Sequence, residues 1–288
     1  MILLHGFSRW IGSPSAEAEA RPRLVAKATV LAFLILAACR EPAVPDVPLM
    51  RIAAHDYGYD MPARVPAGLV HLRLVNRGPD IHEAMVVHFT SAGSAAQYVD
   101  SVRAHVDFPA FAEDLGGAGL AAAGDSTDVY LQLEPGHYAI VCWKGDHLSR
   151  GMARGFVVEA DSSAPVTLPH ADLSILMSEY GYQLSGPITA GRHVIRVENR
   201  GSQPHEADII RLAAGQTPRD YIAWLDGGEQ GQPPAEVAGG TGDFWPGHTV
   251  WMAVNLPPGR YFIICQVPDA GDGKPHYDHG MTREFEVK

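Results

Sequence analysis

Along residues 50–288, apolar and polar positions alternate in short runs, the period of strands with one buried face. In the first half these runs are residues 69–75, 84–89, 128–133, 138–142 and 155–158. In the second they are residues 193–197, 207–212, 249–256, 261–265 and 284–287. Glu134-Pro135-Gly136 and Pro257-Pro258-Gly259 separate neighbouring runs as turns, since Pro presets φ and Gly relaxes it. One stretch per half breaks the alternation and reads as helix, near residues 95–106 and 217–226. Roughly seven short strands per ~110 residues predict an all-β chain of two tandem β-sandwiches with Greek-key connections, each with a short helical insertion.

The halves are copies of each other. Asp56-Tyr57-Gly58-Tyr59 matches Glu179-Tyr180-Gly181-Tyr182, Asn76-Arg77-Gly78 matches Asn199-Arg200-Gly201, and His82-Glu83 matches His205-Glu206, all 123 residues apart. Pro135-Gly136 through Cys142 matches Pro258-Gly259 through Cys265 at the same offset. Past the cysteines the offset grows to 129, because the second copy has six extra residues before His276. Self-similarity at a fixed offset marks repeated units. It places one domain at 50–160 and the other at 171–288, joined by a polar linker at 161–170.

Each copy carries histidine, cysteine, histidine and methionine in that order. The sets are His82, Cys142, His147 and Met152, then His205, Cys265, His276 and Met281. Two imidazoles, one thiolate and a weak thioether are the ligands of a mononuclear blue-copper electron-transfer site. Cys142-x4-His147-x4-Met152 places three ligands in one inter-strand loop, while His82 opens a different strand after the turn at 76–81. The second loop is stretched to Cys265-x10-His276-x4-Met281 and leaves His279 as an alternative to His276. The shared His-x4-Met spacing favours His276.

Other side chains fit the set less well. His88 and His137 align with Arg211 and Arg260, so solvated roles are expected. Glu83 and Glu206 follow the first histidine of each set; they are candidates to orient it, with exposed strand positions as the alternative. Tyrosines 57, 59, 180 and 182 read as core residues or as an electron path. Trp143, replaced by Gln266 in the second copy, reads as a shield over the first site.

The order of these ligands, with Asn-x5-His before the first and Cys-x4-His-x4-Met at the end, resembles the cupredoxins. The loop spacing is close to that of the rusticyanins and auracyanins within that family, and longer loops occur in copper nitrite reductases. The resemblance spans nearly all of residues 50–160 and 170–288. It implies a Greek-key β-sandwich, type 1 copper and one-electron transfer. It also implies that His82, Cys142 and His147 are strong equatorial ligands and Met152 a weak axial one. His205, Cys265, His276 and Met281 would repeat those roles, for two coppers per chain.

The remaining cysteine belongs to the N-terminus. Arg21, Arg23 and Lys27 precede a short apolar run at 28–38, the arrangement of an export signal. Leu36-Ala37-Ala38-Cys39 resembles a bacterial lipobox, which implies lipidation of Cys39 as the mature N-terminus. Residues 1–39 are thus the expected export segment, and the Pro-rich stretch 40–49 the tether. The chain carries three cysteines and a net charge of −11; the odd count opposes a disulfide framework, and the charge opposes nucleic-acid binding.

Three functions fit copper sites on such a scaffold. The expectation is electron transfer outside the bacterial cytoplasmic membrane, on the periplasmic or cell-surface side. The partner would be a cytochrome c or a membrane electron-transfer complex, with membrane attachment through the N-terminal lipid. The alternative is copper storage, delivery or sensing. Catalysis as a multicopper oxidase or nitrite reductase is disfavoured, since the chain has no His-x-His pair and no histidine beside Cys142 or Cys265. The expectation is therefore that the chain is not an enzyme.

Overall fold

The computed structural model describes residues 47–161 and 167–288. The expected export segment with Cys39, most of the 40–49 tether and the centre of the 161–170 linker lie outside the described residues. No helix among the described residues is long and apolar enough to cross a membrane.

The fold is all-β: two sheets of eight and nine strands face each other over one apolar core. Every run read as a strand is one, within two residues at either end. The helices are Ala95–Arg103 and Pro218–Asp226. Ser94 caps the first, and a Thr217–Asp220 capping box starts the second.

Strand alternation explains where the cysteines point. In Gly136–Val141, Tyr138 and Ile140 face the inter-sheet core, and so does Cys142 at its end. Ala139 and Val141 face outward, where Tyr98 and Val99 of the first helix cover them. Gly259–Ile264 repeats this: Tyr261, Ile263 and Cys265 point inward, while Phe262 and Ile264 pack with Tyr221 of the second helix. Each helix thus keeps water off the outer side of a strand whose inner side ends in a thiol.

Two long strands escape the alternation reading, Ala112–Ala121 and Ala235–Phe244. Both are glycine-rich, and glycine is depleted in ordinary strands. The reason lies at the seam between the repeats. These two strands pair with each other, and in the other sheet Ser126–Leu133 pairs with Thr249–Leu256. Both sheets therefore run unbroken from one repeat into the next, and no edge strand is left bare at the junction. Gly117 (φ 152°) and Gly240 (φ 155°) hold backbone angles that a side chain would strain.

The Asn-Arg-Gly motifs fasten the turn before each first histidine. Asn76 Nδ2 donates to the carbonyls of Asp80 (2.7 Å) and Ala121 (2.9 Å), and its Oδ1 accepts from Gly78 N (2.9 Å). Asn199 does the same with Gln203 (2.9 Å), Phe244 (2.7 Å) and Gly201 (2.9 Å). Both side chains are buried, so truncation leaves carbonyls and an N–H without partners. Asn199→Ala is expected to lower unfolding free energy by about 2–4 kcal/mol, read from denaturant midpoints of the metal-free chain.

Candidate metal centres

At each repeat, one end of the sandwich gathers two imidazoles and a thiol. His82 begins the strand His82–Phe89, and Cys142 follows Gly136–Val141, its antiparallel neighbour, so the two meet at the same end. His82 Nδ1 and His147 Nδ1 stand 3.2 Å apart; Cys142 Sγ is 4.0 Å from the first and 3.5 Å from the second. In the second repeat, His205 Nδ1 and His276 Nδ1 are 3.0 Å apart, and Cys265 Sγ is 3.3 Å from His276 Nδ1.

These spacings test whether a metal fits. Bonds of about 2.0 Å to nitrogen and about 2.3 Å to sulfur, spread at 120°, place donors about 3.5–3.8 Å apart. The observed separations lie within about half an ångström of that, so small movements suffice for a trigonal His2Cys site. A thiolate with two imidazoles suits copper. Both clusters are buried, with His147 the most exposed member at 7% and His205, Cys265 and His276 all at 0%.

The methionines close the ligand loops. Met152 N donates to His147 O (3.0 Å) and Cys142 N to Met152 O (3.3 Å); Met281 N and Cys265 N bond His276 O and Met281 O at the same distances. Both methionines are fully buried. The six extra residues of the second loop leave this closure intact because they fold on themselves. Asp269 N donates to Lys274 O (2.8 Å), Gly273 N to Asp269 O (2.8 Å), and Pro268 bridges Pro275. His276 is the histidine brought to Cys265. His279 instead bonds Asp272 (3.1 Å) and lies against Tyr180, 4.7 Å between ring centroids.

Acidic residues back the ligand rings, and here the repeats diverge. His82 Nε2 is 2.7 Å from Asp56 Oδ1, the carboxylate–imidazole pairing that fixes a ligand ring. In the second repeat Glu179 stands 3.6 Å from His205 Nε2 and Asp269 3.8 Å from His276 Nε2, both too long for a hydrogen bond. Asp269 is held by Tyr180 OH (2.6 Å) and Gln203 Nε2 (2.8 Å), which keep its carboxyl well below the usual range. Asp56 and Glu179 open the repeated tyrosine motif, and that pair of matching acids is the signal the sequence holds for them. The glycines of Asn-Arg-Gly serve the rings too. A Cβ on Gly78 would meet Asp56 Oδ1 at 2.5 Å and His82 Nε2 at 2.8 Å, and one on Gly201 would meet both Glu179 Oε1 and His205 Nε2 at 2.6 Å.

Several other expectations change. Glu83 and Glu206 are buried, which removes the exposed alternative, and they bind the cysteine strand rather than the histidine. Glu83 Oε1 accepts from Trp143 N (2.5 Å) and Glu206 Oε1 from Gln266 N (2.6 Å), the residues right after each cysteine. Tyr59 and Tyr182 are core residues whose hydroxyls donate to the carbonyls of Glu83 (2.6 Å) and Glu206 (2.7 Å). Tyr57 and Tyr180 instead meet the ligand rings edge-on, at 4.9 Å from His147 and 5.5 Å from His276. Trp143 points to Tyr98 and Phe108 and lines a cavity between the repeats. His88 stacks on Tyr138 (4.7 Å) and His137 is exposed, both apart from the clusters.

Burial sets the protonation of the metal-free sites. It pushes the Cys142 thiol up to about 12 and Cys265 well above its ordinary value. It holds His147 and His276 below theirs and His205 down at about 4. Neutral imidazoles are ready donors, whereas each thiol must lose a proton as metal binds.

No family model and no curated protein matches the chain. Solved structures do. An auracyanin from Roseiflexus castenholzii is 18% identical, matching 41% of this chain and 99% of its own, with a TM-score of 0.30. A multicopper oxidase is 17% identical over 86% of this chain and 93% of its own, TM-score 0.26. A copper-containing nitrite reductase from Thermus scotoductus is 14% identical over 83% and 61%, TM-score 0.23. These superpositions are loose, and the fold rests on the strand topology above. The structures matching most of the chain's length include an oxidase and a reductase, against the expectation that the chain is not an enzyme, and that expectation is withdrawn. Absence of His-x-His speaks only to catalytic sites built from paired imidazoles.

Asp56→Asn is expected to weaken metal binding at the first centre by about 10–100-fold, while Glu179→Gln leaves the second within a few-fold; metal titration of each variant checks this. The metal-free chain should also lose stability as pH rises from 6 to 9. Burial raises Glu83 and Asp114 to about 7, Glu206 to about 8, and Asp208 and Asp243 well above the ordinary range. A carboxyl raised in the fold holds its proton more tightly there than when unfolded, so its contribution is whole below the unfolded value and fades through the folded one. The depressed histidines act oppositely, but only below their unfolded value near pH 6.5. A melting temperature that is flat or rising from pH 6 to 9 would contradict this.

Proposed function

We propose that the chain binds two coppers, one per repeat, and uses them for one-electron transfer. The observation that carries this is the double convergence of two Nδ1 atoms and one Sγ in buried pockets of repeated construction. His82, Cys142 and His147 would hold the first copper with Met152 as weak axial donor; His205, Cys265, His276 and Met281 would hold the second. Copper in such a donor set cycles between its two common oxidation states. The protein supplies ligands fixed by strand ends and closed loops, with water excluded, so little has to rearrange when an electron arrives.

His147 is the ligand closest to solvent, beside Tyr57, whose ring lies under the Arg150 guanidinium at 4.0 Å. That edge is where a redox partner would exchange electrons with the first centre. A storage or delivery role, in which copper must leave, is poorly served by ligands this deeply enclosed. The proposal concerns the electron-transfer step and holds whether or not a substrate is turned over on the same chain. Lipid attachment at Cys39, export beyond the cytoplasmic membrane and a cytochrome c or membrane complex as partner complete the reading.

Loaded with Cu(II), the purified chain should bind two equivalents and show an intense thiolate-to-copper absorption band. Cys142→Ser and Cys265→Ser should each remove about half of both. Gly78→Ala, by driving a methyl into His82, should bleach the first centre alone. A colourless chain with no tight copper overturns the proposal.

A further inference from the structure

A cavity of about 280 Å³ lies between the repeats, lined in part by the residues that follow each cysteine, Trp143 to Gly145 and Gln266 to Pro268. Six acids line it: Asp107 is exposed and Glu229 half-buried, while Glu83, Glu206, Asp208 and Asp243 are exposed by only 4%, 7%, 1% and 5%. The one cationic lining residue, Lys144, is already paired with Glu229. The chamber is therefore strongly anionic if its acids are ionised.

The fold does not require these charges. Asp208 and Asp243 stand where the first repeat, 123 residues earlier, has Met85 and Leu120, and those two apolar residues line the same cavity. The equivalent strands of the first repeat thus accept apolar side chains at these places. Each aspartate keeps one oxygen free of hydrogen bonds. Asp208 Oδ1 and Asp243 Oδ2 are buried with no protein partner, although Asp208 Oδ2 accepts from Gln266 Nε2 at 3.4 Å; Glu83 and Glu206 each accept from a backbone N–H. Buried carboxylates left in this condition are strongly disfavoured when charged, unless another charge offsets them.

We propose that this chamber binds one hydrated divalent cation of the oxygen-preferring class, anchored by Asp208 and Asp243, with Glu83 and Glu206 completing its anionic wall. The three side-chain clusters tight enough to grip a bare ion among the described residues lie elsewhere, so the ion here keeps part of its water shell, as Mg2+ and Mn2+ do. At ~30 Å³ per water the cavity has room for the ion and several waters. The inference does not rest on copper at the two centres, because carboxylate oxygen and thiolate select different metals.

The test is a Mn2+ titration of the full chain at pH 8, followed by loss of the free-ion electron paramagnetic resonance signal. It is run on the wild type, on Asp208→Met/Asp243→Leu, and on Asp272→Ala at the exposed acidic turn of the second loop. Wild type should bind one Mn2+ at the chamber. The double variant should bind it at least tenfold more weakly, and Asp272→Ala should leave that affinity unchanged. Since Met and Leu are the first repeat's own residues at these places, the variant is expected to melt no lower than wild type. Should it fail to fold, Asp208→Asn, nearly isosteric, should still weaken binding at least threefold. Absence of Mn2+ binding, or binding that the Asp208 and Asp243 substitutions leave untouched, overturns the proposal and leaves protons as the charges that balance the chamber.

Discussion

Antiparallel pairing of the histidine strand with the cysteine strand is the constraint on which both centres depend. Met85 sits opposite Val141 and Asp208 opposite Ile264, so the start of one strand lies beside the end of the other. A histidine sixty residues before its cysteine is thereby delivered to it. A slip of one residue would turn the thiol from the inter-sheet core to the helix-covered face. The apolar side chains on both faces of the cysteine strand hold the register, so packing energy and ligand geometry are fixed by the same contacts. Glu83 and Glu206 add a polar lock by binding the first N–H beyond each thiol.

Much of this was legible in the residues because duplication shows each feature twice. Alternation marked most of the longer strands with ordinary side chains, missing Leu49–His55 and Leu173–Ser178, and the repeated His-Cys-His order marked the residues that converge. Legibility failed where a residue's role comes from a distant partner. The glycine-rich strands look unlike strands, and one of the two partners of each is its equivalent in the other repeat. Asp56 supports a ring that enters the sequence only at His82, and nothing local to it announces an imidazole. Glu83 and Glu206 are buried beside a cavity that both repeats line, a setting nothing local to them announces.

The copies have not kept equal centres. In the first, the leading histidine has a carboxylate at hydrogen-bond distance, and the second histidine comes closest to solvent. In the second, the ring partners stand further off and the lengthened loop of residues 266–275 carries Asp269 alongside a fully enclosed His276. Ring support and solvent access both bear on a metal's potential and exchange. One scaffold thus presents two chemically different environments, with the difference concentrated in loops rather than in the sheets.

The seam itself has the form of an isologous contact. Ala118 pairs with Thr241 and Val129 with Met252, and in each pair the residues are equivalents 123 positions apart. A pseudo-twofold axis therefore passes between the repeats, as it would in a dimer of identical subunits. In such a dimer any residue near the axis is present twice, so an acid placed there faces its own copy and repulsion doubles with it. Joining the two halves in one chain lifts that restriction. Met85 can remain apolar while Asp208 becomes an acid, and a lining with two unlike walls can form where strict symmetry would impose like on like.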